Sequence, residues 1–90
     1  MYSLFRESDN AGDSGALSEL YWLDEHKQVQ SEPNGRPRVG VAVRVGTPFS
    51  RSFSTQDYWT TTPITEIVAE GRDFVTFKTR SGSTYKWRKF

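Results

Sequence analysis

Four cations recur near the end of the chain, Lys78, Arg80, Lys86 and Arg88, arranged on either side of Ser81-Gly82-Ser83. Like charges this close repel unless a counter-charge joins them, and phosphate supplies one. Upstream, Arg51 stands in a hydroxyl-rich stretch, 47–62, that also carries Phe49, Phe53, Tyr58 and Trp59. A guanidinium gives charge-assisted hydrogen bonds to a phosphate, and an aromatic ring gives a face on which a base stacks. The candidate ligand-binding residues are therefore Arg51, Phe53, Tyr58, Trp59, Lys78, Arg80, Lys86 and Arg88. The chemistry they suit is recognition of an anionic ligand, a nucleotide or a nucleic acid. Two structural explanations stay open: the rings of 47–62 plug the end of a barrel, or the acidic part of the chain neutralises the basic part.

Charge is distributed unevenly enough to make that second alternative serious. The net charge of the whole chain is +1. Residues 1–32 hold seven acids (Glu7, Asp9, Asp13, Glu19, Asp24, Glu25, Glu32) against Arg6 and Lys27, a balance of −5. Residues 78–90 hold five cations, Lys89 included, and no acid, a balance of +5. Such asymmetry marks either an anionic partner for the basic end or an internal docking of the two.

Catalytic chemistry has little to work with. His26 is the only histidine and stands among Asp24, Glu25 and Lys27 in a segment that reads as exposed. No histidine–carboxylate cluster has metal-ligand spacing, and no cysteine is present to add a thiolate. Glu66 and Glu70 on one strand would stand about 13 Å apart, too far for a paired acid and base. Neither a phosphate-cradling glycine loop nor a nucleophile elbow occurs. The expectation is a protein that binds rather than catalyses, with no cofactor and no metal.

Ninety residues make one thin-cored domain, expected to bury roughly 60–65% of the surface of the unfolded chain. Residues 2–6 read as a short strand and 7–15 as a polar loop. From Ala16 the apolar positions Leu17, Leu20, Tyr21 and Leu23 follow spacings of three and four, which predicts a short helix over 16–27; a strand over 20–30 is the alternative. Asn34-Gly35, between Pro33 and Pro37, signals a turn. Val39, Val41, Val43 and Val45 alternate with Gly40, Ala42 and Arg44, which predicts a strand over 39–45. Residues 46–63 show no period and read as a long functional loop. The remainder, 64–90, reads as a three-stranded meander with turns at 70–72 and 81–83.

Loop parity decides which way the meander faces. Three-residue loops put Thr65, Ile67, Val75, Phe77, Thr79, Tyr85 and Trp87 on one face, and Glu66, Thr76, Lys78, Arg80, Lys86 and Arg88 on the other. Two-residue loops would set Val75 and Phe77 against Arg88 and Lys86, so burial selects the first register. Ile64, Val68, Phe74 and Phe90 then share the cationic face, where the helix is expected to cover them. The predicted fold is mainly β (α+β): a small bent antiparallel sheet or SH3-like barrel with one short N-terminal helix.

The segment Tyr58-Trp59-Thr60-Thr61-Thr62-Pro63-Ile64-Thr65-Glu66-Ile67, followed by Phe77-Lys78-Thr79-Arg80-Ser81-Gly82-Ser83-Thr84-Tyr85-Lys86-Trp87, resembles a pattern in small phage and mobile-element proteins. The resemblance covers the C-terminal third to half of the chain. It implies an accessory factor that counters a host defence by binding, and it carries over no site residues. The expected partners are a nucleotide, a nucleic acid or a host protein, with a homo-oligomer compatible. An alternative is a protein–protein inhibitor acting through the aromatic 47–62 loop. With no apolar run near the roughly 20 residues of a membrane span and no leader-like N-terminus, the expected location is the cytoplasm, that of a host cell if phage-encoded.

Overall fold

The computed structural model describes residues 1–46 and 58–90. Nine strands run through them: β1 Tyr2–Arg6, β2 Gly12–Gly15, β3 Leu17–Leu23, β4 Val29–Pro33, β5 Ala42–Gly46, β6 Tyr58–Thr60, β7 Ile64–Glu70, β8 Phe74–Thr79 and β9 Thr84–Lys89. They form two antiparallel sheets, one of five strands in the order β2-β1-β9-β8-β7 and one of four in the order β4-β3-β5-β6. Both sheets stay open, with β2 and β7 bordering the first and β4 and β6 the second, so the barrel alternative does not hold.

No helix occurs among the described residues, and the predicted helix over 16–27 is replaced by strand β3 and a tight turn. Leu17, Leu20 and Tyr21 fit a helical period, but the same segment also alternates. Ser18 and Leu20 are fully buried while Leu17, Glu19 and Leu23 face outward. Trp22 packs against the core on the inward side. The turn that follows is built by Asp24, whose carboxylate accepts from the backbone N–H of His26 and Gln28 and from the Gln30 side chain. Those bonds, the one from the Gln28 N–H foremost, pull the Asp24 pKa below the ordinary carboxylate value. Lys27 takes a φ of 60° to close the turn. The expected polar loop over 7–15 likewise contains a strand, β2, which pairs with β1 and reaches β3 after a single residue, Ala16.

The valine strand expected over 39–45 begins three residues later, as β5 Ala42–Gly46, with Val41 just before it. Val41, Val43 and Val45 are buried; Val39 lies before the strand, in an exposed turn. The 34–35 turn is also real: Asn34 adopts a φ of 60° and its side-chain oxygen accepts from the Tyr2 hydroxyl at 3.0 Å. Gly35 is needed there because a Cβ would stand 2.8 Å from Leu20 Cδ1.

The last three strands pair antiparallel, with Phe77 opposite Tyr85 and Val75 opposite Trp87. The β8–β9 loop is three residues long, 80–82, closed by Gly82 at a φ of 89°. Phe77, Tyr85 and Trp87 therefore point inward and Lys78, Lys86 and Arg88 outward, as burial required. Strand β7 departs from the expected parity. Register shifts at its first and fourth steps leave Thr65, expected inside, exposed and Ile64, expected outside, 2% exposed, while Val68 lies outside and Ile67 packs against the core as expected. Each bulge inserts an unpaired residue and so reverses which side its neighbours face.

One apolar cluster fills the space between the sheets. Tyr2, Leu4, Val75, Phe77, Tyr85 and Trp87 come from the five-stranded sheet, and Leu20, Val43 and Val45 from the other. The two are tied by a buried hydrogen bond, Trp87 Nε1 to Ser18 Oγ at 3.0 Å. A Ser18→Ala variant should lose about 1–3 kcal/mol of stability, because the indole N–H is left buried without an acceptor. Urea unfolding measures this, and a midpoint equal to wild type would deny the bond that role. Outside the core, Arg36 straps the 34–41 connection to the β7–β8 turn by donating to the carbonyls of Gly71, Arg72 and Phe74.

Candidate functional site

The outer face of the five-stranded sheet is where the cations gather. Strand β9 occupies its centre, paired to β1 on one side and β8 on the other. Lys86 stands opposite Phe5 of β1 and Thr76 of β8; Arg88 stands opposite Ser3 and Phe74. Lys78 lies further along β8, opposite Thr84 and Glu66. All three cations are exposed. The helix expected to cover this face is absent, so Phe5, Phe74 and Phe90 remain on it beside the charges.

Cations and rings alternate in contact. The Lys86 ammonium sits 5.1 Å from the Phe74 ring centroid, and the Arg88 guanidinium 5.6 Å from that of Phe90. Such contacts hold long side chains in place without neutralising them. An open cleft of about 480 Å³ lies here, its lining including Ser3, Phe5, Lys86, Arg88 and Phe90 and one acid, Glu7.

Among the described residues the acidic part of the chain forms no ion pair with these cations. Among the described residues, Asp9 pairs with Arg6, Glu32 with Arg38 and Glu70 with Arg36, while Glu25 lies beside His26. None of these pairs takes in Lys78, Lys86 or Arg88. Glu66 faces Lys78 across the strand pair without joining it in an ion pair. The Asp9 pair is local: hydrogen bonding from Arg6, then from the Ala11 N–H, holds the Asp9 carboxyl down at about 2.

The other candidate residues divide. Arg80 does not converge with Lys86 and Arg88. It belongs to the three-residue loop, and its side chain lines a second cleft with Tyr21, Arg44 and Thr60 on the outer face of the four-stranded sheet. The loop places it there because its own N–H donates to the Pro63 carbonyl, at the point where the chain passes between sheets. Trp59 packs against the core and donates to the Tyr85 hydroxyl at 3.3 Å, with Arg6 over its ring; it is a structural plug. Tyr58 opens β6, opposite Gly46. Arg51 and Phe53 lie outside the described residues, as does most of the 46–63 stretch.

Sequence reasoning missed Phe5 and Ser3 as members of the site. The signal was the alternation Tyr2-Ser3-Leu4-Phe5, which marks a strand with Ser3 and Phe5 on one side. Its pairing with β9, Tyr2 opposite Lys89, joins the two ends of the chain and leaves no local trace. Among the described residues no group of histidines and carboxylates could hold a metal ion, and no helix is long and apolar enough to cross a membrane. Comparison with protein families, with curated proteins and with solved structures finds no match to this chain.

Proposed function

We propose that this protein is a non-catalytic binding protein that holds a phosphate-bearing ligand, a nucleotide or nucleic acid, on the outer face of its five-stranded sheet. The observation that carries the reading is the exposed trio Lys78, Lys86 and Arg88, which join no ion pair among the described residues, with the half-buried Phe74 beside Lys86 and the exposed Phe90 beside Arg88. Unpaired cations fixed beside apolar rings are what a phosphate with an attached base needs. The buried orientation of Tyr85 and Trp87 removes two rings from that role, and Phe5, Phe74 and Phe90 take their place. A protein inhibitor acting through 47–62 is less well supported, since Trp59 faces the core. As a phage or mobile-element accessory factor, the protein would counter a host defence by withholding or shielding such a ligand.

Salt dependence tests the reading. Three phosphate contacts to a short oligothymidylate predict a log–log slope near −2, so affinity should fall roughly twentyfold between about 50 and 200 mM salt. Calorimetry or anisotropy measures it; binding that ignores salt would count against a phosphate ligand.

A further inference from the structure

The cleft on the sheet face does not end at Phe90. A second open cleft, of about 640 Å³, begins on the other side of the same residues: Arg88 and Phe90 line both. Its remaining cations are Arg36, Arg72 and Lys89, with Asp73 the one acid on its wall. The two clefts together form a cationic track around the end of the sheet, running from Lys86 through Arg88 to Lys89 and Arg72. Phe90 stands at the junction, 67% exposed, its ring against Arg88. Phe5 lies along the first cleft.

We infer that the ligand is a single-stranded nucleic acid that threads both clefts, with its backbone on the Lys86–Arg88–Lys89 track and a base stacked on Phe90. This rests on the phosphate-binding reading above and narrows it. Arg36 is already paired with Glu70, but a mononucleotide in one cleft would leave Arg72 and Lys89, which form no ion pair among the described residues, without a phosphate. A duplex keeps its bases stacked on each other, so Phe5 and Phe90 would have nothing to stack on. A single strand presents both repeating charge and open base faces, and stacking tolerates any sequence. Both clefts are open to solvent along their length, as an extended chain requires.

The test uses the full chain with ATP, inorganic tripolyphosphate, a duplex, and oligothymidylate and oligouridylate of increasing length, read by fluorescence anisotropy and competition. Affinity should rise with length and level off once both clefts are filled. Phe90→Ala should weaken the longer oligonucleotides about tenfold, a stacking loss of about 1.4 kcal/mol, and weaken tripolyphosphate, which has no base to stack, by no more than about twofold. The ring is exposed, so this variant keeps the fold, which its melting curve verifies. The thymidylate and uridylate arms separate DNA from RNA as the source of the strand. ATP or duplex binding as tightly as the longest oligonucleotide overturns the inference and leaves phosphate binding standing, as does a Phe90→Ala variant with unchanged affinity for oligonucleotides. Failure of every phosphate compound to bind overturns both.

Discussion

Replacing Lys86 and Arg88 together by Gln should lower affinity for a phosphate-bearing ligand roughly a hundredfold at low salt and leave the fold intact. A hydrogen bond to a charged group contributes about 1.5–3 kcal/mol, and each 1.4 kcal/mol is tenfold in affinity, so two such contacts reach that range. The same change should flatten the salt slope by about 1.4, since each lost phosphate contact on a single strand removes about 0.7. Stability should move little. Both side chains are exposed, neither is in an ion pair among the described residues, and what each loses is a contact with Phe74 or Phe90 worth about 0.5–1 kcal/mol. Titration of an oligonucleotide beside a thermal melt reads both quantities. Wild-type affinity in a folded double variant would remove the sheet face as the binding surface.

Phe77→Ala should have the largest effect on stability of any single change, on the order of 3–5 kcal/mol. The ring is fully buried at the centre of β8, between Ile67 and Tyr85 in the strand register. It stacks on Tyr85 with centroids 5.8 Å apart and planes inclined by 24°. A domain of this length has about 5–15 kcal/mol in all, so a large share of the margin goes with the ring. The melting temperature should drop by roughly 15–30 °C, judged by near-ultraviolet circular dichroism. Leu23→Ala is the matched control: Leu23 is 64% exposed on the outer face of the other sheet and its loss should shift the midpoint by a degree or two at most. A Phe77→Ala melt within a few degrees of wild type would mean that the core is organised around other residues.

The parts of this molecule legible in its sequence are those where burial leaves one choice. Val75 and Phe77 cannot share a face with Lys86 and Arg88, so the β8–β9 parity follows from composition alone. The alternation at Val41, Val43 and Val45 admits only a strand. The residues that misled are those for which two periods coincide. Leu17, Leu20 and Tyr21 satisfy a helix as well as a strand, and what decides is that Ser18 faces inward to accept from Trp87, 69 residues away. Sequence patterns carry no such distant partner. The bulges at Thr65 and Val68 were illegible for a related reason: a bulge is a mismatch between two strands and neither strand alone records it. The candidate site was half legible. Its cations came from the hairpin pattern, but its rings depended on the absence of a covering helix and on β1 lying beside β9.

The bulged strand β7 also governs how the protein behaves when crowded. It is the outermost strand of the five-stranded sheet, where unsatisfied N–H and C=O groups invite a neighbour's chain to add on. Two interruptions within seven residues break the regular donor–acceptor spacing a docking strand would have to match. At the far edge of the other sheet, β4 ends in Pro33, which has no N–H to offer. A protein whose only regular elements among the described residues are strands thereby resists growing into fibrils from the two borders that β7 and β4 leave open.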